Sequence, residues 1–146
     1  TANLFRTLFY RKQGDILSDR LPEIYCDIML VFPDDCENIS KYFEGTDIIP
    51  SRPGRYGKAP LGRWIIAKTD YLKEWYLDEA LAVLFKKVDA VFPQIIDLMK
   101  DHDAKAIINI AFWQFGTYPA LSITGKNMEY IRLLHANIDI DPYDSS

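Results

Sequence analysis

An α+β fold, with helices laid on a mostly antiparallel sheet, is what this sequence predicts. Two observations carry the prediction. Short β-prone runs bounded by turn residues occupy both ends of the chain, and between them lies a long stretch whose apolar residues recur every three or four positions. The expected arrangement is a mostly antiparallel sheet with one long kinked helix and two shorter helices packed on it. The chain has 146 residues, of which 49% are apolar and 26% charged, enough to build one core without disulfide or metal staples. A single domain over 1–146 is expected, with 1–23 as an N-terminal extension and 24–143 as its core.

From the N-terminus, Asn3 to Arg11 alternates loosely and predicts a strand, with Gly14-Asp15 as the turn after it. Tyr25 to Phe32 is a short apolar run stopped by Pro33, and its few polar positions predict a central strand. Asp34 or Asp35 can then cap a short helix through Phe43, with Ile39, Tyr42 and Phe43 at helical spacing and Gly45 ending it. Pro50, Pro53, Pro60, Gly54, Gly57 and Gly62 make residues 46–62 a loop. Trp64 to Ala67 predicts a strand, with Trp64 packed on the core.

Leu77, Leu81, Leu84, Val88, Val91, Phe92, Ile95 and Met99 define the long amphipathic helix. Pro93 lacks an amide hydrogen and clashes with the carbonyl of Asp89, so a kink, or two consecutive helices, is expected there. Lys105 to Phe115 and Leu121 to Ile123, separated by Gly116-Thr117-Tyr118-Pro119, predict a hairpin. Thr124 is placed to cap a helix from Lys126 to His135, with Met128, Ile131 and Leu134 inward and Asn137 as the left-handed residue beyond it. Ile138 to Asp141 alternates in period two before Pro142 and predicts a terminal strand.

The chemistry-bearing residues are sparse. Cys26 and Cys36 are expected to be reduced, and with His102 and His135 they are too scattered for a zinc site. A Cys36 nucleophile with His102 or His135, or an acid/base pair from Asp139 and Asp141, lacks supporting spacing. No catalytic residue, cofactor or metal is assigned, and the chain is not expected to be an enzyme. It has no apolar run of membrane-spanning length, and Thr1 to Arg6 lacks the order of a secretory leader, so a cytosolic protein without a membrane partner is expected.

Charge is segregated along the chain, although the net value is only −4. Residues 1–14 carry +3, residues 15–47 carry −7 and residues 48–68 carry +5, with −2 and −3 over 69–100 and 101–146. Adjacent blocks of opposite sign can neutralise one another on a mixed surface, or the acidic block can form a partner-facing patch.

The progression of a strand, a short capped helix, the Pro/Gly-rich loop Thr46 to Gly54, the strand opened by Gly62-Arg63-Trp64, a long helix, a hairpin, a helix and the closing Ile138-Asp139-Ile140-Asp141 resembles an uncharacterised bacterial domain family found beside polymorphic toxins. The likeness covers about residues 24–143. It implies an immunity protein of the contact-dependent growth inhibition type, binding the C-terminal domain of a cognate toxin in the cytosol. It supplies no catalytic residues, and Gly54 and Trp64 fit better as fold determinants than as a site.

Nuclease, deaminase and pore-forming toxins are all compatible with that implication. A nuclease must be basic to hold phosphates, and an acidic inhibitor is steered to it. The expected toxin-facing residues are therefore Asp34, Asp35, Glu37, Glu44 and Asp47, with Trp113, Phe115 and Tyr118 as candidate aromatic anchors. The competing interpretation is a module for a small anionic ligand or phosphate, using Arg52, Arg55, Lys58 and Arg63 on the glycine-containing loop. That loop lacks the spacing of a P-loop, and a pI near 5.1 opposes nucleic acid as a partner.

Overall fold

A computed structural model describes residues 20–34, 36, 39–53 and 62–144. The strand expected over Asn3 to Arg11, the Gly14-Asp15 turn, and Asp35, Glu37, Gly54, Arg55, Gly57, Lys58 and Pro60 lie outside the described residues.

The α+β architecture is present. Strand β1 (Glu23–Val31) runs through the middle of the sheet and pairs antiparallel with β2 (Arg63–Lys68), with the two-residue β3 (Leu72–Lys73) and with β4 (Lys105–Gln114). Strand β5 (Asn137–Asp144) lies beyond β4 and runs parallel to it, giving the order β2-β1-β4-β5. As its composition predicts, β1 is buried on both faces. Ile24, Cys26, Ile28 and Leu30 point into the main core, while Asp27 and Met29, on the opposite face, are only 4% and 6% exposed. Between Ile28 and Met29 the pairing shifts, from Ala67 to Ile65, so Ile66 is the extra residue of a bulge.

The long apolar stretch is not one kinked helix but the other arrangement expected at Pro93, two consecutive helices, α1 (Leu77–Val88) and α2 (Phe92–His102), joined by the 3₁₀ turn Asp89–Val91. Pro93 falls in the first turn of α2, where an amide hydrogen has no intrahelical partner, and the chain breaks before it rather than bending through it. Leu77, Leu81, Leu84, Val88, Val91 and Ile95 are buried as their spacing predicts.

Further expectations are corrected. The helix ending at Phe43 is only the 3₁₀ turn Ser40–Phe43, which begins after Ile39 without a side-chain cap; Asp34 is exposed and caps nothing. No hairpin forms, because residues 121–123 are not a strand. Ala120 instead makes a parallel bridge to Tyr76, and the chain passes through α3 (Gly125–Leu133) before β5 pairs with β4. That crossover is what a parallel pair requires.

Helix α3 also departs in detail. Thr124 does precede it, but its hydroxyl donates to Asp78 on α1 instead of capping α3. Met128 is 47% exposed, with Asn127 buried beside Ile131 and Leu134. The left-handed residue is His135, at φ 48°, because Asn137 already begins β5.

Candidate partner-binding surface

The acidic residues acquire a setting in the segment from the 3₁₀ turn to Ser51. Ile39 and Phe43 are buried in the core and fix the start of this segment. Its end is fixed by two backbone hydrogen bonds between Ser51 and Ile65 of β2, at 2.9 and 2.7 Å. Between these anchors Gly45 takes a left-handed φ of 74°, which reverses the chain. Thr46 then closes the turn: its N–H and its hydroxyl both donate to the carbonyl of Phe43, at 3.1 and 2.6 Å, and the hydroxyl accepts from the N–H of Ile48 at 3.2 Å.

This bracing has a consequence for the side chains. Ile48 packs against the core, whereas Ile49 is 85% exposed, the most exposed large apolar residue described. Glu44 and Asp47, on the same loop, are exposed. The loop is thus held at both ends and carries one large apolar side chain in solvent together with two exposed carboxylates.

The C-terminal end of α2 supports this loop. Tyr42 donates its hydroxyl to Asp101 at 3.1 Å and lies 3.1 Å from Nε2 of His102, whose ring packs edge-on against both Tyr42 and Phe32. Partial burial, then the hydrogen bond and charge of Asp101, raise the Tyr42 hydroxyl above its ordinary pKa, with Asp97 adding to the negative field. The carboxylates of α2 thus meet Tyr42 of the 3₁₀ turn, while Lys41 folds its ammonium toward the Tyr42 ring at 5.4 Å.

The other predicted residues do not assemble there. Trp113 lies opposite Glu23, at the far end of β1 from Val31 and the segment that follows it. It stacks on Tyr143 at 5.0 Å and meets the edge of Tyr71. Phe115 sits under the Arg20 guanidinium at 3.5 Å, and Tyr118 is 64% exposed. Asp139 and Asp141, two positions apart on β5, share one face of that strand.

Of the basic set, Arg52 and Arg63 are described. Arg52 places its guanidinium 4.0 Å above the Trp64 ring and directs Nη1 at the carbonyl of Arg63, 3.5 Å away. Trp64 in turn donates its indole N–H to the carbonyl of Cys36 at 2.8 Å and packs on the core. Arg52 therefore serves to hold the loop's end against β2, and Arg63 is exposed at the start of that strand.

Both cysteines are free thiols, and burial, with the charge of Asp27 beside it, pushes Cys26 up to about 12. Among the described residues no group of three or more His, Cys, Asp or Glu side chains is placed to hold a metal ion, and no helix is long and apolar enough to cross a membrane.

Sequence reasoning put Glu44 and Asp47 forward as partner-facing and did not single out Ile49. The available signal was Ile48-Ile49 immediately before Pro50, two large apolar residues in a loop where only one can turn inward. Comparison of the chain with protein-family models, with curated proteins and with solved structures finds no match.

Proposed function

We propose that this protein is a binding protein of the immunity type, which neutralises the C-terminal domain of a cognate bacterial toxin by docking the Glu44–Ile49 loop onto a basic surface of it. The observation that carries this reading is Ile49, 85% exposed on a loop braced by Thr46 and Ser51 that also carries the exposed Glu44 and Asp47. An apolar side chain held in solvent on a braced loop is suited to act as the anchor at the centre of an interface. The carboxylates supply steering toward a basic partner, and the bracing reduces the ordering cost of binding. Asp34 is exposed in the segment that follows β1.

The test is calorimetric titration with the C-terminal fragment of the large polypeptide encoded immediately upstream, at two salt concentrations, with an unrelated toxin fragment as control. Partner-specific nanomolar binding that weakens with salt, and weakens further in Ile49→Asp, is expected. A folded protein that binds neither fragment overturns the proposal.

A further inference from the structure

The two edges of the sheet are treated differently. On the β2 side, Ser51 pairs with Ile65 through two backbone hydrogen bonds. On the other side β5 runs for eight residues, and among the described residues no strand pairs with its outer edge. An edge strand directs the N–H and C=O groups of alternate residues outward, so β5 offers main-chain donors and acceptors along this edge, with Pro142 contributing a carbonyl but no N–H. Its side chains are also unfinished business for the sheet: Ile140, in register with buried Ile110, is 41% exposed, and Tyr143, stacked on Trp113, is 39% exposed.

We propose that β5 receives an added strand from a partner protein, and that this strand is basic, with Lys or Arg at alternate positions facing Asp139 and Asp141. The charges select the occupant. An antiparallel pairing of two copies centred on Ile140 sets Asp139 of each copy opposite Asp141 of the other, which places like charges in direct cross-strand pairs. The same carboxylates that repel a second copy attract a cationic strand, and main-chain pairing supplies affinity that side-chain charge alone does not. The added strand covers Ile140 and Tyr143, extending the layers that Ile110 and Trp113 begin. This surface lies at the opposite edge of the sheet from the Glu44–Ile49 loop, so it stands whether or not that loop binds a toxin.

The test uses the full chain and three blocked synthetic octapeptides: alternating Lys and Val, alternating Glu and Val, and alternating Lys and Pro. Binding is followed by amide hydrogen exchange. The Lys-Val peptide is expected to bind saturably and to slow exchange within Asn137–Tyr143, and affinity should fall at least about tenfold in Asp139→Lys/Asp141→Lys. Because both positions are exposed on an edge, that variant is expected to fold normally, which its unchanged exchange in β1 verifies. The Glu-Val and Lys-Pro peptides should not bind: the first has the wrong charge, and the second lacks the amide hydrogens to pair. Equal binding of Lys-Pro would reduce the effect to charge alone and overturn strand addition, as would no saturable binding of Lys-Val. A free protein that sediments as a dimer, and becomes monomeric in Ile140→Lys, would assign the edge to a second copy instead.

Discussion

The carboxylate of Asp78, in the first turn of α1, accepts hydrogen bonds from both the backbone N–H of Thr124, at 3.0 Å, and its hydroxyl, at 2.7 Å. Asn127, itself buried, adds a third donor at 2.9 Å. One negative group thus sits at the N-terminal ends of α1 and α3 together, where both helix dipoles favour it. Replacing Asp78 by Ala removes the acceptor and leaves Asn127 with one partner fewer. The expected cost is about 2 kcal/mol, or roughly 5 °C in melting temperature. Thr124→Val should cost less than half of that, because Asp78 keeps the backbone and Asn127 donors. Thermal and urea unfolding of both variants decide the matter, and an Asp78→Ala protein as stable as the parent would show the clasp to be idle.

Gly62 governs how the loop rejoins the sheet. It adopts a φ of 77°, its carbonyl accepts from Phe32 N–H at 2.6 Å, and a Cβ built on it meets the Phe32 carbonyl oxygen at 2.6 Å. Alanine here combines backbone strain with a clash against main-chain atoms that cannot rotate away. Gly62→Ala should therefore lower stability by about 3 kcal/mol. The neighbouring Arg63→Ala, at an exposed position, should stay within about 0.5 kcal/mol. Chemical denaturation of the pair separates the two effects.

Alkaline stability should carry the signature of Cys26. Its thiol moves from an ordinary value of 9.0 to about 12 in the folded protein, chiefly through burial and secondarily through Asp27. Between those values the unfolded chain has lost the proton and the folded chain retains it. Stability must then fall as pH rises through this window. Tyr130, raised to about 12 chiefly by its hydrogen bond to Asp89, adds a loss of the same sign above pH 10. In Cys26→Ala the decline between pH 9 and 10 should be shallower, whatever the change in absolute stability. Thiol titration offers an independent check: half-buried Cys36 should react with a disulfide reagent in the native protein, and Cys26 only after unfolding. An unchanged slope in the variant would assign the alkaline transition elsewhere.

What the sequence reveals here follows from how local each determinant is. β1, β2, β5 and the inward positions from Leu77 to Ile95 are written in short-range apolar periodicity, and tertiary packing agrees with it. The hairpin expectation failed because Leu121-Ser122-Ile123 has strand composition, but the polar clasp of Asp78 to Thr124 and the Ala120–Tyr76 bridge draw this segment to α1. Nothing in the local sequence announces partners some 45 residues away. Met128 misled for a related reason: Asn127 occupies the inward position because Asp78 supplies it with hydrogen bonds, turning Met128 outward. The acids of the candidate site were visible as charge, whereas the brace that gives them a fixed geometry runs through Thr46, Ser51 and the contact of Tyr42 with Asp101, a pair 59 residues apart.

Preorganisation and charge at the Glu44–Ile49 loop can be separated by mutation. Thr46→Val keeps the shape of the side chain but removes the hydroxyl that bridges Phe43 and Ile48, at a cost of about 1 kcal/mol in stability and with faster exchange of the Ile48 amide. Its effect on toxin binding should arise from a looser loop, so affinity falls while the dependence on salt is retained. Glu44→Gln/Asp47→Asn should do the reverse, slowing association and flattening the salt dependence with folding stability within about 0.5 kcal/mol of the parent. Ile49→Ala should leave stability equally untouched, since the side chain is almost wholly in solvent, yet weaken binding by about tenfold or more through faster dissociation. Stopped-flow association and dissociation rates at two ionic strengths distinguish the three. If Ile49→Ala binds as the parent does while the carboxamide variant loses affinity, the loop acts as a charged steering surface without an apolar anchor.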